Sequence, residues 1–306
     1  MPLLPLLTGL VLWGVTLIEW RRGRFRSNVL EQVATFLFFA SLFILLLLMW
    51  PWPNVGHRAR YAMYLGLAAL VAHGVVASML GYRAGRLVPA RGSWIGPIVL
   101  GLMSMLCLLG IGHVFWAPFP DDQIVIAFPL EGKWAVGHGG PSVLTNAHAP
   151  YANQRYALDL LKVGSDGKCF QADGRQLHDY LSWRQPVRSP LSGTVIVAIG
   201  TYADNEPGVE DARNSRGNHV MIRSASGEIV LLAHLRQGSI VVDEGDSVSE
   251  GQLVAEVGNS GNTSAPHVHI DASRATRDGP VSVPMVFKET GAGLRRQRRG
   301  AVLGGS

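Results

Sequence analysis

The chain has 306 residues, of which 48% are hydrophobic and only 16% charged, against roughly 25% charged in an average soluble domain. That balance excludes a disordered chain and a single ordinary soluble domain. The formal charge of +5 hides two halves. Residues 1–117 hold nine Arg/Lys and two acids, and residues 118–306 hold eighteen and twenty, so no basic face exists for a nucleic-acid partner.

Four apolar runs come first, at about 3–18, 33–50, 61–81 and 94–117. Each is close to the roughly 20 residues that cross a bilayer core. Trp50, Trp52, Trp94 and Trp116 lie at run ends, where an amphipathic ring suits the membrane interface. The first run lacks a preceding positive segment and a small-residue cleavage site, so it reads as a retained span rather than a signal peptide. Arg21, Arg22, Arg24 and Arg26 follow it, Arg58 and Arg60 fall in the second connection, and Arg83, Arg86 and Arg91 in the third. That bias puts the first and third connections in the cytoplasm. The expectation is a four-helix transmembrane anchor over 1–117, a multi-pass protein of the cytoplasmic membrane with its N-terminus outside. The bilayer is then a partner through four spans, and the rest of the chain lies beyond the membrane. Cys107 and Cys169 imply no disulfide framework.

After Pro118 and Pro120 the pattern changes to short, β-branched or alternating runs. They are QIVIAF from Gln123, RYALDLL from Arg155, GTVIVAI from Gly193, HVMIR from His219, EIVLLAH from Glu228, LVAEV from Leu253 and HVHIDA from His267. Turn signals such as Ser165-Asp166-Gly167 and Asn259-Ser260-Gly261-Asn262 separate them, which predicts a mainly antiparallel β domain over 118–290. A short helix is expected around Gln176–Trp183, and a long loop over 201–217. The fold class is therefore α+β overall: a membrane α-helical bundle followed by a β domain. Residues 291–306, with Arg295, Arg296, Arg298 and Arg299, read as a basic, disordered tail, with contact to anionic lipid or wall polymer as a second reading.

The histidines carry the chemistry. In Pro266-His267-Val268-His269-Ile270 the strand period of two puts His267 and His269 on one face, with Val268 and Ile270 facing the core. His234 ends the EIVLLAH run. Asp159 is an acid between Leu158 and Leu160, where an unpaired carboxylate costs several kcal/mol, on the order of what a salt bridge or a metal must offset. Together these residues supply the donors of an open zinc site, with three protein ligands and room for water.

The segment from Gly217 to Ala272 contains AHL, then GDSVSEGQ, then GNSGNTSAPHVH, in that order. It resembles the core of the lysostaphin/LytM-type zinc metalloendopeptidase family. SPLSGTVIVAIG from Ser189 and QRYALDLL from Gln154 are similar to the earlier strands of that family, and the likeness spans roughly 130–290. The resemblance implies a LytM-like core, hydrolysis of peptide bonds in bacterial peptidoglycan, and one zinc ion per chain. It implies Asp159 and His269 as metal ligands, and His234 and His267 as base and transition-state stabiliser beside the attacking water. Stem or cross-bridge peptides would be the substrate, and a regulatory membrane protein is a further possible partner.

One departure matters. The family carries a His four residues before the Asp, and here that position is Arg155, which stays protonated and cannot ligate. His148, in Thr145-Asn146-Ala147-His148, is one substitute for a metal ligand. His138 is another, and a site lacking the third ligand is the remaining alternative. His178 and His219 read as structural, His219 with a possible place lining the cleft, and His73 and His113 as packed residues of the bundle. Two rivals follow. A catalytically inactive domain would bind peptidoglycan or regulate another hydrolase. A lipoyl-type carrier would need a modifiable Lys, and none lies between Lys168 and Lys288.

Overall fold

The computed structural model describes residues 29–50, 52–83, 87, 94–277, 279–288 and 297–304. The chain divides into two compact units, one of Met1–Trp50 with His57–Trp116, the other of Pro51–Gly56 with Ala117–Ser306.

The first unit is helical: α1 (Val29–Met49), α2 (Trp52–Arg83, from His57 onward) and α3 (Ile95–Trp116). α1 packs on α3. Their few hydroxyls are spent inside the helix, Thr35 on the Glu31 carbonyl and Ser104 on the Leu100 carbonyl, which is how a polar group is tolerated among apolar ones. Their outward faces stay apolar, with Leu37, Leu102, Leu106 and Leu109 all exposed. By length and composition α1 and α3 can cross a membrane, and they are the two described helices that can. This corrects the expected four spans. The run 3–18 lies outside the described residues. The run 61–81 is part of α2, which starts with His57, Arg58 and Arg60 close to its head, breaks at Gly56 with φ 75° and ψ −180°, and is diluted by Gly66, His73 and Gly74.

The second unit is a β structure. Its strands are β1 (Ile124–Ile126), β2 (Trp134–His138), β3 (Leu158–Lys162), β4 (Pro186–Arg188), β5 (Gly193–Ile199), β6 (Asn218–Ser224) and β7 (Glu228–Leu235). There follow β8 (Ser247–Val248), β9 (Leu253–Glu256), β10 (Val268–Thr276), β11 (Gly279–Ser282), β12 (Met285–Phe287) and β13 (Val302–Leu303). The main sheet has nine strands, in the order β13-β2-β3-β10-β7-β6-β5-β8, with β11 on the far end of β10. Its pairings are antiparallel. β1 and β12 form a separate parallel pair, and β4 pairs with β9. Each of the seven runs read from the sequence contains a strand.

Three expectations need correction. The helix expected at Gln176–Trp183 is only a 3-10 turn, Leu177–Asp179. β2 was not anticipated. And the supposedly disordered tail contains β13, which pairs with β2, Val302 opposite Ala135 and Leu303 opposite Trp134. The loop expected at 201–217 is one, apart from the 3-10 turn Ala212–Asn214.

The core is the face of the main sheet that carries Trp134, Val136, Leu160, Ile222, Leu232, Val268 and Ile270, all at most 1% exposed, closed over by Ile126 and Phe287. Strand alternation then decides what lies on the other face. With Val268, Ile270 and Ala272 of β10 in the core, His269, Asp271 and Ser273 take the opposite side.

Candidate metal centre

The register brings the first two residues together. β3 and β10 pair so that Asp159 stands directly opposite His269, where cross-strand side chains are nearest neighbours. His269 Nδ1 lies 3.0 Å from Asp159 Oδ1. The third arrives from a loop. His148 Nε2 lies 3.1 and 3.0 Å from the two Asp159 oxygens, and its ring centroid is 4.6 Å from that of His269. One ligand atom each from His148, Asp159 and His269 all fall within 4.8 Å of one another.

Asn146 holds that loop. It is fully buried, and its Nδ2 donates to the Gly140 carbonyl at 2.8 Å and the Arg155 carbonyl at 3.0 Å. Its Oδ1 accepts the His148 backbone N–H at 3.0 Å. The next N–H, of Ala147, donates to His138 Nδ1 at 3.1 Å. His138 thus buttresses the loop, and its ring stands 6.0 Å from that of His148. Arg155 does not enter the cluster. It is exposed, and its Nε donates to the Ala149 carbonyl at 3.2 Å.

His234 and His267 flank the cluster, with ring centroids 4.8 Å apart, and His234 is 5.8 Å from His269. His234 ends β7 in the left-handed region, φ 63°, a conformation that costs a non-glycine residue on the order of 1–3 kcal/mol and tends to persist at functional sites. Its Nδ1 donates to the Ser260 carbonyl at 2.9 Å. Ser260 is pressed against Gly217, where a Cβ would stand 2.3 Å from the Ser260 oxygen, so that position admits only glycine. His267 Nδ1 donates to the Ala265 carbonyl at 2.8 Å. In each ring the proton is therefore on Nδ1 and the lone pair on Nε2. His267 Nε2 lies 3.5 Å from Asp159 Oδ1.

The electrostatics follow from burial around one carboxylate. Burial opposes the charge on Asp159, but His148 and His267 outweigh it and hold the carboxyl well below its usual range. Burial likewise opposes charging His148 and His267, and Asp159 outweighs it, raising both. For His269 and His234 burial wins, and both are lowered. Burial drops His138 to about 4. Among the described residues, the ion pairs of Asp159 are all with imidazoles and none with Lys or Arg. A buried carboxylate ringed by neutral-capable nitrogen donors is a donor set that suits zinc, with three protein ligands and an open side.

Two residues were not singled out from the sequence. Asn146 carries no periodic signal. Asp271 follows His267 and His269 at the same strand spacing, so the period of two was the available clue. It is buried, accepts the Ser282 hydroxyl at 2.7 Å, and burial pushes its carboxyl up to about 7. His219 is buried with Nδ1 on the Gly217 carbonyl, and His178 is exposed. Neither joins the cluster.

Residues 180–281 match the family model Peptidase family M23, in keeping with the likeness read from the motifs. No curated protein matches the chain. Among solved structures the chain is similar to lysostaphin, with 17% identity over 41% of this chain and 40% of that one at a TM-score of 0.27. It is also similar to a zinc-containing peptidase of Vibrio cholerae, 20% identical over 54% and 37% at 0.28. A third is the SpoIIQ–SpoIIIAH pore-forming complex, 20% identical over 52% and 86% at 0.33. The chain thus spans less than half the length of the first two.

Proposed function

We propose that this M23-type domain is a zinc-dependent endopeptidase that hydrolyses peptide bonds of bacterial peptidoglycan while anchored in the cytoplasmic membrane. The observation that carries the reading is the convergence of His148, Asp159 and His269 beside two histidines whose Nδ1 protons are held on backbone carbonyls. His148, Asp159 and His269 would hold the ion. When bound, zinc supplies a Lewis acid that polarises the scissile carbonyl and lowers the pKa of a water to about 7.

The rest is done by the chain's own side chains. Of His234 and His267, one takes the proton of the attacking water on Nε2 and returns it to the leaving amine, and the other, protonated on both nitrogens, donates from Nε2 to the oxygen that gains charge. The Ser260 and Ala265 carbonyls accept the Nδ1–H of the two rings, which leaves Nε2 of each as the atom that takes or gives the proton. Arg83, Arg86 and Arg91 precede α3, and positive residues favour the cytoplasmic side. The β unit that follows α3 then lies outside, where peptidoglycan is.

An inactive wall-binding or regulatory domain is the alternative, and Arg155 is its motive. Arg155 is turned to solvent, so it does not stand where the ion would. The deciding experiment uses the full chain in detergent, dialysed against zinc, then metal analysis and assay of new amino groups on purified peptidoglycan. One zinc per chain and released amines are expected. Zinc-free protein without turnover would leave the binding role.

A further inference from the structure

The basic segment that ends the chain has no part in the chemistry above, yet two of its arginines are placed differently. Arg298 is committed to packing. Its Nη2 donates to the Ala117 carbonyl at 2.9 Å and its guanidinium stacks 4.9 Å over Phe119. Arg299 is carried toward the metal centre. The pairing of β13 with β2 continues upstream, Gly300 N–H to the Val136 carbonyl at 2.9 Å and Arg299 N–H to the Gly139 carbonyl at 3.3 Å. This antiparallel run ends at the bulge that sets His138 against Asp159. Gly140, with φ 91°, lies against this segment, 3.6 Å from Arg298 Cα to where a Cβ would stand.

Arg299 is half-buried, and among the described residues no carboxylate forms an ion pair with it. Asp159 is the anion whose field reaches it, and that carboxylate is already shared by three imidazoles. A metal ion on Asp159 would cancel even that field. His138 adds a second donor beside it. Its Nδ1 accepts the Ala147 N–H, so the neutral ring carries its proton on Nε2. Arg299, whose backbone is bonded to Gly139, and His138, the residue before Gly139, therefore stand side by side at the end of β2 that faces Asp159, and among the described residues no side-chain acceptor is bonded to the guanidinium or to His138 Nε2. A partly desolvated cation without a counter-ion is unfavourable, and a guanidinium fork matches a carboxylate in two parallel hydrogen bonds.

We infer that Arg299, assisted by His138, forms a carboxylate-binding subsite at the edge of the metal centre, which selects peptides bearing a free carboxylate near the cleaved bond. The ligand chemistry is a peptide carboxylate, from either a C-terminus or an acidic side chain. The inference rests on the hydrolase reading for its role in turnover, and on geometry alone for binding.

The test uses the full, zinc-loaded chain and one wall-type peptide in three forms: unmodified, C-terminally amidated, and amidated on its acidic side chain. With wild type, one of the two amidations should raise KM roughly tenfold or more while kcat changes little, the pattern of lost binding common to ground and transition states, and it identifies the source of the carboxylate. Arg299→Gln should bind all three forms equally, with unchanged zinc content, and Arg299→Lys should restore part of the preference. Equal KM values for the three forms in wild type, or a preference that survives in Arg299→Gln, overturns the subsite. If no form is cleaved, calorimetric titration of the same peptides applies the same criterion to Kd. A preference that depends on Arg299 then upholds the subsite while the hydrolase reading fails.

Discussion

The candidate ligands reach the cluster by two routes. His269 and Asp159 sit opposite each other on paired central strands, where the ladder sets their spacing and the buried Leu160, Val268 and Ile270 set their facing. His148 comes from an irregular segment whose place depends on one buried amide and one imidazole, Asn146 and His138. The first route has the stability of the whole sheet behind it. The second has only a few hydrogen bonds, so the same ion would be held by one rigid pair and one adjustable arm.

Three measurements sharpen that contrast. The largest effect belongs to the candidate ligand itself. His148→Ala should weaken zinc binding by more than the ~10–100-fold that outer partners cost, and it should lower the melting temperature of the metal-free protein, since Asp159 loses a paired imidazole. Zinc retained at full affinity in His148→Ala would remove the loop from the centre.

Next comes the clamp. Asn146→Ala should weaken zinc binding about 10–100-fold and cost on the order of 1–3 kcal/mol of stability, because the Gly140 and Arg155 carbonyls lose their donor. Unchanged zinc affinity would mean that His148 finds its place without Asn146.

The smallest effect lies at the far end of the rigid route. Glu228 faces Arg274 across β7 and β10, the strands that carry His234 and His269. Hydrogen bonds from Ser224 and Ser226, with Arg274 adding to them, hold its carboxyl down to about 2 from an ordinary 4.5. A depressed carboxyl stabilises the fold fully above the unfolded value and ceases to as pH falls through the folded one. The difference in stability between wild type and Glu228→Gln should therefore shrink as pH falls from about 4.5 to 2. A difference that stays flat over that interval would show that this corner contributes nothing.

The contrast also explains what the sequence disclosed. The strand route was legible because a period of two separates Val268 and Ile270 from His267 and His269. Asp159 stood out as an acid among leucines. His148 was named only as a substitute, since nothing local ties it to a residue eleven positions away. The amide that does so makes contacts to carbonyls at 140 and 155, which no periodicity encodes. Gly139 and Gly140 receive the returning segment 298–300, a contact that no local pattern announces. β13 itself is two residues long, too short to announce itself before its partner is known. Of the four expected spans, α1 and α3 are helices long and apolar enough to cross a membrane, and the run 3–18 lies outside the described residues. The run 61–81 holds no Asp, Glu, Lys or Arg of its own, and the arginines of α2 lie outside it, at 58, 60 and 83.

The pairing of β13 with β2 also has a consequence for handling the protein. A protease cut after Lys288 would strip the outermost strand and leave the outer edge of β2 unpaired. A bare sheet border of that kind recruits other chains, so nicked material should clump even while its histidine cluster is chemically whole.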